Sequence, residues 1–233
     1  MKSLRYTLKL CVPVMASYIF VGLAYGMMMN KAGYSPLWTF FSSTFIYAGS
    51  MQIVLISLLA AGTPLYTIAI MTLFINARHI FYGIGFVEEF KKIGGWRYPL
   101  MALTMTDETY SVLCSAQYPE GMDRHKIMLY VQVFCYLLWI LASTSGALLG
   151  EVLRFNMEGI EFTATAFFVT VVVSQWQTAE SHLPAITGLL SAVLFFFLFG
   201  ADKFILPALS VSVVVLIIHK DRIMIKREAL ENV

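Results

Sequence analysis

Eight stretches of this chain, near residues 9–29, 37–61, 64–87, 98–118, 127–149, 161–179, 184–200 and 203–219, run almost uncharged for the length of a membrane crossing. About 20 helical residues at 1.5 Å rise cross the hydrocarbon of a bilayer. Lipid offers no partners to bare backbone groups, so only helices and closed barrels cross it. Barrel strands alternate polar and apolar residues over about ten positions, whereas these runs are continuous. The predicted fold is all-α: a polytopic transmembrane helical bundle of about seven to eight spans, in one integral membrane domain over residues 1–233. Only Gly62-Thr63-Pro64 separates the second run from the third, so a re-entrant piece there gives the lower count.

The composition points to the same solvent. Apolar residues make up 59% of the chain and charged ones 13%, against roughly 45–50% and about 25% in soluble domains. The mean hydropathy is +0.75. Lys2, Arg5 and Lys9 precede the first run, which continues to Met29 and so reads as a membrane helix rather than a cleaved signal. The short tails, about 1–8 and 220–233, are both basic and are expected in the cytoplasm, together with Arg124 and Lys126. Lys31, Lys91, Lys92, Arg97, Arg154 and Lys203 are expected on the opposite face. The connections at 88–97 and 150–161 are expected to lie along the membrane surface on Phe90, Trp96, Leu153 and Phe155. An echo of Pro13-Val-Met-Ala16 in Pro99-Leu-Met-Ala102 raises the expectation of an inverted repeat, with both prolines starting helices.

Against this background the polar residues inside the runs stand out, because a charge at the bilayer centre costs roughly 2.5–3.5 kcal/mol. Asp107 and Glu108 sit in the middle of the fourth run, headed by Thr106. Arg78 and His79 lie in the third, two positions after Asn76, and Gln52 follows Gly49 in the second. Neighbouring helical residues point about 100° apart, so Asp107 and Glu108 need different partners. Arg78 suits one of them, leaving the other to handle a proton; the alternative is that Asp107, Glu108 and Arg78 form a purely structural buried cluster. Gly22 and Gly26 are spaced for close helix packing, as Gly83 and Gly85 are for contact on the third run; the alternative is an unwound turn exposing backbone groups to a ligand. Cys11, Cys114 and Cys135 read as ordinary buried thiols. No metal-ligand spacing, no cofactor and no nucleic-acid-binding patch is expected.

"GLAYG" (22–26), "YAGSMQ" (47–52), "NARHIFYG" (76–83) and "TDETY" (106–110), in this order, resemble the AzlC family of branched-chain amino acid exporters. The resemblance covers roughly residues 10–150. It implies a large subunit of about seven spans in a bacterial inner membrane, working with a small AzlD-type membrane subunit to export valine, leucine and isoleucine. Ser17, Phe20 and Met51 depart from the family pattern. A zwitterionic aliphatic substrate fits the residues. Its ammonium suits Asp107, Glu108 or Asn76, and its carboxylate suits Arg78, Gln52 or amides near Gly49. No Walker-type phosphate loop is present, so proton coupling is the expected energy source. A passive channel is the alternative. An intramembrane enzyme is not expected, because no Gly-x-Ser-x-Gly elbow occurs.

Overall fold

The computed structural model describes residues 2–119, 121–152, 181–200 and 204–231, with individual positions between 162 and 177. The expected span near 161–179 therefore lies largely outside the described residues, as do Arg154, Leu153, Phe155 and Lys203. The described residues form nine helices and no strand: α1 (Lys2–Lys31), α2 (Pro36–Phe45), α3 (Gly49–Ala60), α4 (Leu65–Ile93), α5 (Arg97–Leu103), α6 (Asp107–Ser115), α7 (Arg124–Val152), α8 (Leu183–Phe199) and α9 (Ile205–Glu231).

The chain divides into two compact units. The first holds Met1–Ala60 and Ile75–Ala164, the second Ala61–Phe74 and Thr165–Val233. In the second, α8 packs on α9. Gly200, at φ 76°, ends α8 in a conformation open to glycine. The candidate residues all belong to the first unit.

That unit is built on α1 and α7, each long and apolar enough to cross a membrane. Every third or fourth residue of α1 from Cys11 onward (Cys11, Val14, Tyr18, Gly22, Tyr25 and Met29) is buried, which marks one face of a helix. Small residues let the two backbones approach. A Cβ on Gly22 would lie 2.7 Å from that of Ala142, and one on Gly26 would collide with the carbonyl oxygen of Ser143. "GLAYG" is thus helical packing material, and not an unwound turn. Gly22 faces Ala142 and Asn30 faces Gly150, so the helices run parallel and their basic starts share one end. Pro13 lies inside α1, not at its start. The helix begins among the basic residues, and Pro99 alone falls in a first turn, that of α5.

Two expected spans, 37–61 and 98–118, do not run end to end. The first breaks at 46–48 into α2 and α3, and the second at 104–106 into α5 and α6. α2 runs inward from the far end of α1, where Tyr34 N–H donates to Met29 O. α3 then lies against Arg78 at Ser50 and rejoins α4 through the 61–64 turn. α6 follows α4, with Asp107 against Arg78 and Tyr110 against Tyr82 and Phe86. It emerges where Tyr6 OH donates to Gln117 O and Arg124 sits over Tyr118. Each broken pair doubles back to the end it left, and the two pairs enter from opposite ends.

The repeated succession is therefore α1 with α2–α3, then α4 with α5–α6. The Pro13/Pro99 echo joins elements that are not equivalent in it. One assignment of charge is also corrected. Glu89 of α4 meets Arg124 at 3.8 Å and His125 at 3.3 Å, so Lys91, Lys92 and Arg97 share the end of Lys2, Arg5 and Lys9. Phe90 is fully buried rather than lying on a membrane surface, while Trp96 is exposed.

Candidate functional site at two helix breaks

The segment Thr104–Tyr110 spends its polar residues on stopping one helix and starting the next. Thr104 Oγ1 donates back to Leu100 O at 2.8 Å and ends α5. Thr106 is the N-cap of α6. Its hydroxyl accepts from Thr109 N–H, while Thr106 N–H donates to Thr109 Oγ1 at 2.8 Å. These bonds satisfy two donors that a helix start leaves bare. Asp107 and Glu108 then occupy the first turn, where the partial positive charge of the helix favours anions.

The two carboxylates take different partners. Asp107 Oδ2 forms an ion pair with Arg78 Nη1 at 2.5 Å, and both side chains are about a third exposed. Glu108 Oε2 accepts from Tyr18 OH at 3.2 Å, and the same phenol lies 2.7 Å from Thr106 Oγ1. No ion pair reaches Glu108 among the described residues. Arg78 also donates through Nη2 to Ser50 Oγ in the first turn of α3, so one guanidinium touches the start of both returning helices. Arg78 Nε and Asp107 Oδ1 in this pair are covered and have no hydrogen-bond partner among the described residues, as is also true of Asn76 Oδ1 elsewhere on α4.

The other break, 46–48, is held by Gln52. This fully buried amide accepts from Ala48 N–H and Trp139 Nε1–H, each at 3.1 Å, and approaches Ser43 Oγ at 3.5 Å. Its capacity is spent on the fold. The left-handed turn falls on Tyr47, at φ 41°, rather than on Gly49, which faces Trp139 across ordinary contact distance. A non-glycine residue there stores of order 1–3 kcal/mol of strain. His79 lies 6.1 Å from the Tyr82 ring, centroid to centroid, and Gly83 is in the interior of α4.

Among the expected site residues, Arg78, Asp107, Glu108 and Thr106 thus converge, Asn76 lies two positions before Arg78 on α4, and Gln52 and Gly49 support the neighbouring break. Tyr18, Ser50, Trp139 and Gln132 were not singled out from the sequence. Tyr18 alone carried a signal, since it shares a helical face with Gly22 and Tyr25. Gln132 is fully buried, donates only to the sulfur of Met105 at 3.4 Å, and leaves its carbonyl without a partner.

The model of the AzlC protein family matches residues 13–153, which include both breaks. The chain belongs to the AzlC family. The branched-chain amino acid transport protein AzlC of Bacillus subtilis is 35% identical over 199 residues, covering 85% of this chain and 78% of that protein. Two proteins described as membrane proteins are also similar. One, from Haemophilus influenzae, is 33% identical over 89% of this chain and 85% of its own; the other, from Helicobacter pylori, is 32% identical over 91% and 92%. No solved structure matches. As an AzlC-family membrane protein, the chain places its polar first turns within a helical bundle.

Proposed function

We propose that this protein is the large subunit of a proton-coupled exporter of branched-chain amino acids. It works in a bacterial inner membrane with a small AzlD-type subunit and performs no enzymatic chemistry. The substrate class follows the name of the Bacillus subtilis relative. In this reading α1, α4 and α7 cross the bilayer, the two broken pairs are re-entrant, and the apolar runs near 161–179, 184–200 and 203–219 cross after them. Six crossings then keep both termini in the cytoplasm.

The observation that carries the reading is the division of labour between adjacent carboxylates. Asp107 is neutralised by Arg78, whereas no cation pairs with Glu108 among the described residues. A carboxylate without a cation gains and loses a proton more readily in a poorly hydrated place than one with a cation. Glu108 is the proton carrier and the Arg78 region receives the amino acid. The test uses proteoliposomes holding both subunits. An imposed proton gradient drives valine uphill in the wild type, and Glu108→Gln abolishes that accumulation while valine–valine exchange persists. Uphill transport undiminished in Glu108→Gln removes Glu108 from this role, and indifference of the wild type to the gradient favours a passive channel.

A further inference from the structure

The Arg78–Asp107 pair is not sealed off: both side chains are about a third exposed. The pair also leaves polar capacity unused among the described residues: a guanidinium N–H at Arg78 Nε and a carboxylate oxygen at Asp107 Oδ1. One donor on a cation and one acceptor on an anion form the complement of a molecule with a carboxylate at one end and an ammonium at the other.

We infer that the Arg78–Asp107 ion pair opens by exchange with its substrate, an α-amino acid zwitterion whose carboxylate takes Arg78 and whose ammonium takes Asp107. This rests on the transport reading above and adds what the site demands of a ligand. The exchange leaves the net charge of the site unchanged, since each protein charge trades one partner for another of the same sign. A zwitterion therefore enters without stranding a charge. A molecule with one charged end leaves either Arg78 or Asp107 unpaired, which a poorly hydrated site penalises heavily.

The experiment is competition against labelled valine exchange in wild-type proteoliposomes. The competitors are valine, methionine, valinamide (no carboxylate) and 2-oxoisovalerate (no ammonium). The two zwitterions compete, and each one-ended analogue is weaker by roughly a hundredfold or more. Either analogue competing within a few-fold of valine overturns the inference. If valine is not exchanged, the same four compounds are tested for thermal stabilisation of the purified complex. Stabilisation by methionine alone then rejects the substrate reading and keeps the exchange, and no preference for zwitterions rejects the exchange. A second variant separates recognition from folding. Arg78→Asp with Asp107→Arg restores an ion pair, so it keeps the melting temperature of the wild type but loses exchange of valine. Wild-type exchange by this swapped protein overturns the inference.

Discussion

Two buried glutamines illustrate how residues of one type acquire opposite weight. Gln52 Oε1 accepts two donors that have no other partner, Ala48 N–H and Trp139 Nε1–H. Leaving a buried donor unpaired costs about 1–3 kcal/mol. Gln52→Leu is therefore expected to lower the melting temperature of the detergent-purified protein markedly. Gln132 already has an unpaired carbonyl and a weak sulfur acceptor. Gln132→Leu is expected to be neutral or stabilising in the same measurement, and an equal loss in both variants would show that Gln132 has a partner. The sequence flagged Gln52 as a substrate contact because it is a polar group in an apolar run. What it could not disclose is that a helix break four residues away consumes its hydrogen bonds. Asp107 and Glu108 were legible as unusual for the same reason, and their division between Arg78 and Tyr18 was not.

At the scale of elements, hydropathy located the apolar runs but not where they bend. A run broken in its middle has the same composition as one that crosses. The signals for the second break were local and small: a back-bonding Thr104, a capping Thr106 and acidic residues just after it. The first break is marked by no proline or glycine at its left-handed position, because Tyr47 adopts that conformation against its own preference. Helix contacts were easier to anticipate. The Gly22/Gly26 spacing foretold close packing, and the structure names the partner surface as Ala142, Ser143 and Ala147 of α7. Gly26→Ala forces the helices apart at backbone level and is expected to cost at least about 1–3 kcal/mol, as overpacking does. Gly49→Ala, which meets only Trp139 at 3.5 Å, is expected to be tolerated. Fluorescence-detected size exclusion after heating compares them directly.

For the whole molecule, the placement of charge depends on whether a run crosses or returns. Reading 98–118 as a crossing puts Lys91, Lys92 and Arg97 opposite the N-terminus. The contacts of Glu89 with Arg124 and His125 bring them to the same end, which strengthens the basic bias expected of a cytoplasmic face. In a background lacking the native cysteines, Ser35→Cys is expected to react with an impermeant thiol reagent in intact cells. Trp96→Cys, exposed in the structure, is expected to react only after the membrane is opened. Labelling of Trp96→Cys from outside would restore the crossing.

The sequence by itself determined the solvent and the element type, because the length of an apolar run and the shortage of charge are properties of composition that no folding can alter. Its motifs also identified the family. Only the tertiary structure decided which runs turn back, which end each charge occupies and which carboxylate meets the arginine. Those outcomes depend on contacts between positions far apart in the chain, such as Tyr18 with Glu108, and a local pattern of residues carries no record of them.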